Sequence, residues 1–192
     1  MSMPVTFYAL TAEQARAYRS AFDAAMKPRP VEPIASRAED DWGDVLGATE
    51  ATSTEDILEE SAEVAQLDWE AFGLSFLLHR AANVVYEPAK LIDEVFGKDL
   101  GVGLNPNGTM HNQNLLSPAQ VLAASTFLAR FDAPALRGHF DPLEMQKQVV
   151  HPMESWNEPG MLDSLLAARD TVGNFFAHAA KAGASVVVTV AI

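Results

Sequence analysis

The segment Leu67 to Leu78, LDWEAFGLSFLL, limits the possible folds more than any other part of the chain. Wound as a helix, it spreads Leu67, Trp69, Phe72, Leu74, Phe76, Leu77 and Leu78 around its circumference and keeps no polar stripe. A helix that is apolar all round has to be covered on every side. The chain has enough material for that cover: 192 residues, 48% of them apolar, suffice for one domain with a sizeable core. This helix, from about Asp68 to Ala82 with Asp68 as its N-cap, is therefore expected to be the spine of the core.

The flanking segments say what covers it. Pro4 to Leu10 (PVTFYAL) is rich in β-branched and aromatic residues and reads as a strand. Thr11 and Gln14 stand at capping-box spacing and open a helix whose apolar face is Ala15, Tyr18, Phe22 and Met26. Pro28, Pro30 and Pro33 end it. Residues 34–51 read as a loop, and Ser53 with Asp56, or Thr52 with Glu55, caps a short helix through about Val64. A turn and short helix follow between Asn83 and Lys98. Asp99 to Leu116, which contains the turn signal Asn105-Pro106-Asn107-Gly108, reads as loop. Ser117-Pro118-Ala119-Gln120 is the clearest helix start in the chain, with a capping serine, a proline at the first turn and a glutamine to complete the box. Asp132 with Pro134, and Asp141-Pro142-Leu143-Glu144, start two further short helices. A long helix runs from about Met161 to Lys181, with Gly183 as its left-handed C-cap. The apolar run Ala184 to Ile192 (ASVVVTVAI) reads as a strand covered on both faces. Strands near both ends with helices between them predict an α+β fold, mostly helical, whose small sheet pairs the first strand with the last. The whole chain, 1–192, reads as one domain with an acidic loop or insert at about 36–66.

Charge bounds the partners. The net charge is −13, and Ser36 to Glu70 holds twelve acids against Arg37 alone, a net of −11. Such a face repels phosphates and excludes nucleic acid as the expected partner. It steers a basic protein toward itself. A solvated face that only keeps the protein soluble is the plainer alternative. There is no cysteine, which removes disulfides, thiolate metal sites and a cysteine nucleophile. No apolar run approaches the roughly 18 residues that span a bilayer, and MSMPVTFYAL has no basic n-region. The expected location is the cytoplasm, with no membrane association.

The order of these signals resembles a known family. MSMPVTFYAL followed by TAEQ is similar to the opening Met-x-Met, short strand and capped helix of the DUF1877 (YfbM-like) family of bacterial proteins. LDWEAFGLSFLL resembles that family's Asp, Lys and Trp ahead of Leu-His-Phe-Leu-Leu, and SPAQV its Thr/Ser-Pro-Glu-Glu-Val helix start. FDPLEM with VVHPMESW is similar to its Phe-Asp-Pro, Tyr-Pro and Trp signature. The ending, in which AAKAGASVVVTVAI follows FFAH, resembles its last helix and strand. The resemblance covers nearly the whole chain, with departures. Trp69 stands where the family has Lys, Ala71 where it has Trp, Ser75 where it has His and His151 where it has Tyr. It implies a small cytoplasmic α+β domain and no assigned activity.

Chemistry-bearing residues are few. The histidines are His79, His111, His139, His151 and His178. No HExxH, GxGxxG or GxxxxGK[ST] motif is present. The best catalytic cluster is His139, Asp141, His151 and Glu154, but Asp141 and Glu144 sit at capping-box positions, which explains that pair better, without chemistry. No catalytic residue is therefore assigned, and no metal or cofactor is expected. Trp156 is expected to fold back onto the core. Trp42, in the acidic loop, either folds back or waits for a partner. The functional expectation is a non-enzymatic acidic binding module, an immunity- or antitoxin-like neutraliser of a basic protein, using Glu39, Asp40, Asp41, Trp42 and Asp44. The alternative is a small-ligand-binding or hydrolase-like enzyme built on the His/carboxylate cluster. A structural domain with no ligand of its own is the third reading.

Overall fold

Two strands from opposite ends of the chain pair at the centre of the structure. The computed structural model describes residues 4–25, 53–85, 90–96, 111–151 and 156–191. In chain order its elements are β1 (Val5–Leu10), α1 (Ala12–Ala25), α2 (Thr54–Glu59), β2 (Glu63–Leu67), α3 (Glu70–Val85), α4 (Lys90–Phe96), β3 (His111–Leu116), α5 (Pro118–Arg130), α6 (Ala133–Arg137), α7 (Pro142–Lys147), α8 (Met161–Lys181) and β4 (Ser185–Ala191). The sheet is antiparallel with strand order β2-β1-β4-β3. β1 and β4 are in register from Val5 opposite Val190 to Leu10 opposite Ser185. The expected α+β architecture with paired terminal strands is the one observed.

Alternation along the strands divides the core in two. Val5, Phe7 and Ala9 of β1 and Val186, Val188 and Val190 of β4 face the large helical layer. There Phe7 meets Phe176 edge-on, with Phe175 and Phe96 at 5.9 and 6.3 Å. Leu10 and Val187 face the other way, onto Tyr18 of α1 and Ile57 and Leu58 of α2. Val186, Val187 and Val188 are all fully buried, so the last strand is covered on both faces as its composition requires.

The apolar helix α3 lies in the large layer against α8, α4 and α6. No residue from Glu70 to Ala82 is exposed, in keeping with a helix that has no polar stripe. Gly73 gives it its closest contact. A Cβ at that position would lie 2.4 Å from the Trp156 ring and 2.7 Å from Leu165 of α8. The missing side chain thus lets the indole and α8 settle on the helix backbone. Trp156 is 1% exposed, folded back as expected, and its Nε1–H donates to the Val150 carbonyl at 2.9 Å. Trp69 meets the same ring edge-on at 5.7 Å.

Local chemistry sets the helix boundaries. Thr11/Gln14, Ser53/Asp56 and Ser117/Gln120 all form reciprocal capping boxes. α8 ends in a Schellman motif: Gly183 has φ +64, its N–H donates to Ala180, and Ala184 N–H reaches back to Ala179. α7 ends with the same pair of bonds, Val149 to Gln146 and Val150 to Met145, but with Val149 in the left-handed position at φ 58. A β-branched residue is poorly suited to that conformation. The same turn presents the Val150 carbonyl to the Trp156 indole N–H.

Two strands depart from the sequence expectation. The helix capped by Ser53 stops at Glu59, and Glu63–Leu67 becomes the edge strand β2 rather than a continuation of helix or loop. Ala65 and Leu67 point inward while Val64 and Gln66 point out, an alternation too short to stand out beside the acids. HNQNLL, read as loop, is the opposite edge strand β3. Asn is disfavoured in strands, and pairing with β4 from His111–Ala191 to Leu116–Val186 overrides that preference. α3 also starts and ends later than Asp68 and Ala82.

Two substitutions test this packing. Gly73→Ala, favourable for helix propensity alone, should destabilise the protein by about 3 kcal/mol through overpacking against Trp156. Urea unfolding would read this as a lowered midpoint. Val149→Gly should act in the opposite direction. It relieves left-handed strain worth roughly 1–2 kcal/mol and gives up little burial, since Val149 is 62% exposed. The expected net gain, about 1 kcal/mol, would appear as a raised midpoint with unchanged slope.

Candidate functional site

The described part of the acidic tract builds one surface. Ser53 to Glu70 carries Glu55, Asp56, Glu59, Glu60, Glu63, Asp68 and Glu70 and no Lys or Arg. α2 is short and two-sided: Ile57 and Leu58 are buried against α1 and the sheet, while Glu55, Asp56 and Glu59 stay exposed. β2 continues the surface with Val64, 51% exposed, and Gln66 directed outward. No described strand pairs with its outer side. The geometry thus places a row of carboxylates beside a sheet edge.

Not every acid there is available. The Asp56 carboxylate accepts from the Ser53 N–H at 3.0 Å, and this capping holds its carboxyl below the usual range. Glu63 faces His178 of α8 at 3.3 Å. Glu59 and Glu60 are exposed and their carboxylates form no ion pair among the described residues. The Glu60 backbone carbonyl accepts from Gln14 Nε2 at 3.1 Å, which ties the end of α2 to α1. Glu39, Asp40, Asp41, Trp42 and Asp44, the expected binding residues, lie outside the described residues.

Beneath this surface Tyr18 is 2% exposed, and its hydroxyl donates to Gln113 Oε1 of β3. Burial raises its pKa well above the ordinary value, and the negative charge of Glu55 adds to the shift.

Among the described members of the His/carboxylate cluster, Asp141 and His151 turn to different partners. The Asp141 side chain accepts from the Glu144 N–H at 3.1 Å as the N-cap of α7, and its other oxygen lies 3.6 Å from Arg80. The reciprocal half of the box is missing, because Glu144 accepts from Gln148 and pairs with Lys147. His151 packs edge-on against Phe72 at 5.9 Å. Phe72 and Arg80 are eight residues apart on α3, which separates their partners by about 12 Å along the helix at 1.5 Å per residue. His139 makes a backbone bond to Leu136 at the end of α6, and Glu154 lies outside the described residues. Among the described residues no three His, Asp or Glu side chains are grouped so as to hold a metal. His79 pairs with Asp93 at 2.8 Å and ties α3 to α4.

Sequence reasoning missed β2 as a sheet edge, though Val64-Ala65-Gln66-Leu67 carries the alternation that marks it. It also missed Arg169, whose Nε and Nη2 donate to the Phe131 and Leu128 carbonyls at 2.8 and 2.9 Å and fasten α8 to the end of α5. A lone arginine in a helix gives no signal of such a role.

Comparison with known proteins places the fold. A family model described as a domain of unknown function, DUF1877, matches residues 1–189. Among solved structures the chain is similar to YfbM, a protein of unknown function from Escherichia coli. The TM-score is 0.59 at 15% identity, over 98% of this chain and 99% of that one, a likeness of fold alone. No curated protein matches. No helix among the described residues is long and apolar enough to cross a membrane.

Tyr18 yields a pH prediction. Its hydroxyl ionises with more difficulty in the folded chain than in the unfolded one, so the folded state holds the proton where the unfolded state has released it. The associated stability is complete below the ordinary tyrosine value of about 10 and is lost as pH rises above it. Spectrophotometric titration should show one of the three tyrosines resisting ionisation until the fold opens. Tyr18→Phe should flatten the alkaline loss of stability.

Proposed function

This chain belongs to the DUF1877 family of domains of unknown function, and from that premise we propose that it is a non-enzymatic binding module whose acidic face takes a basic protein partner. The observation that carries this reading is the surface formed by α2 and β2. Glu55, Asp56, Glu59, Glu60 and Glu63 stand there, next to a strand edge with Val64 outermost, and the stretch from Ser53 to Glu70 holds no Lys or Arg. The acids of residues 36–52 extend the same run along the sequence, and Glu39, Asp40, Asp41, Trp42 and Asp44 belong to this reading as further contacts. Charge of one sign steers a partner of the other and raises its rate of encounter. A neutraliser of a basic protein, as immunity proteins and antitoxins are, is the concrete form. The absence of cysteine fits a reducing compartment, and the cytoplasm is the location that goes with this reading.

Binding of this kind weakens as salt screens it, since the Debye length falls from about 10 Å at 0.1 M to about 3 Å at 1 M. The full chain, immobilised, should retain basic proteins from a lysate at low salt and release them at high salt. Glu59→Lys with Glu60→Lys should remove that retention without unfolding the protein, because neither carboxylate caps a helix. Asp40→Lys with Asp41→Lys, made separately, should weaken it. A retained set indifferent to both salt and charge reversal would defeat the proposal.

A further inference from the structure

On the opposite side of α1 from the acidic surface lies a groove of different character. One stripe of α1, residues Ala12, Ala15, Arg16, Arg19, Ser20 and Asp23, forms its wall, and Pro118 of α5 with Ser185 of β4 closes the other side. The space is about 730 Å³. The wall residues follow the three- and four-residue spacing of a single helix face.

Three features give this groove a polarity. Ser185, opposite Leu10 in the sheet, is 8% exposed and is the buried polar residue of the described core. Its hydroxyl has no hydrogen-bond partner among the described residues. The sealed side-chain atoms without a hydrogen-bond partner among the described residues are Ser61 Oγ and Arg80 Nη1, whereas the Ser185 hydroxyl opens to the groove, where a ligand can replace water as its partner. Arg16 and Arg19 bring two cations to the wall of a chain whose net charge is −13. Arg16 spends only its Nε, on the Ala12 carbonyl at 3.2 Å, and Arg19 forms no ion pair among the described residues. The first residues of α1 and α5, Ala12 and Pro118, also stand at the rim, which brings the positive ends of two helix dipoles near it. Asp23, at the far end of the stripe, is the one opposing charge among the lining residues.

We infer that this groove is a binding site for a small organic oxyanion, a carboxylate or phosphate whose head is held by Arg16, Arg19 and the Ser185 hydroxyl. Guanidinium groups suit such heads because their N–H groups match two oxygens at once. A second hollow of about 310 Å³ shares Arg19 and Asp23 and runs on past Phe22 to Leu115 and Gln113 of β3. It provides an amphipathic bed for the body of the ligand. Neither hollow is lined by a residue of α2 or β2, so binding there does not require the acidic surface to have a partner.

Titration calorimetry on the full chain tests this, with inorganic phosphate and succinate as separate probes at constant ionic strength. Saturable binding of either is expected, and the better of the two identifies the head group as phosphate or carboxylate. Arg19→Glu should weaken it at least tenfold. Ser185→Ala should weaken it severalfold and leave the unfolding midpoint unchanged or raised, since it removes a hydroxyl with no partner. A purely structural serine would give the reverse pattern: lowered stability and intact binding. The inference fails if neither probe saturates, if chloride at equal ionic strength competes both away, or if Arg19→Glu binds as the parent does.

Discussion

The antiparallel ladder between Val5–Leu10 and Ser185–Ala191 is the interaction on which the rest of the structure depends. It supplies the two inner strands of the sheet, and both edge strands attach to it: among the described residues β2 pairs with β1 alone, and β3 with β4 alone. It also decides which helices sit where. Phe7, Val186 and Val188 need an apolar cover on one face, supplied above all by α8. Leu10 and Val187 need one on the other, supplied by α1 and α2. Burying these side chains is worth on the order of 2 kcal/mol each, so neither face can be left open to water.

Within the large layer, shape is as important as apolarity. α3 is central because it is apolar all round, but its exact seat comes from an absence, that of a side chain at Gly73. The indole of Trp156 fills that gap and takes its hydrogen bond from a turn in which Val149 adopts a conformation better suited to glycine. Three distant positions thus support a single contact. Polar links then fasten the helices to one another: Arg169 to the last carbonyls of α5, and His79 of α3 to Asp93 of α4.

Much of this was legible in the chain. Signals that are local and chemically specific could be read directly: the capping boxes at Thr11, Ser53 and Ser117, the glycine at 183, and the valine run of β4 all lie where they were expected. What could not be read depends on neighbours remote in sequence. HNQNLL becomes a strand only because β4 lies beside it, and EVAQL only because β1 does. Asp141 and His151 looked like a cluster because ten residues separate them, yet α3 holds their contacts two turns apart. The groove under α1 was invisible for the same reason, since Arg16, Arg19 and Ser185 come together only when the last strand joins the first. The two surfaces singled out for binding, one acidic and one with two arginines in its lining, are built from different residues, and Tyr18 lies between them: it lines the second hollow and feels the charge of Glu55.

The pairing of β1 with β4 also has a consequence for synthesis. Val5 cannot meet Val190 until every residue between them has been made, so the centre of the sheet forms from a highly non-local contact. Folds dominated by such contacts close slowly, because the entropy of a large loop is lost before any contact compensates for it. On the ribosome, β1 can pair with β2 early, but the resulting strand pair keeps the other edge of β1 unsatisfied until β4 emerges. During that interval the nascent chain offers an apolar strand edge to whatever is near it, and a chaperone that binds extended apolar segments would find its target there.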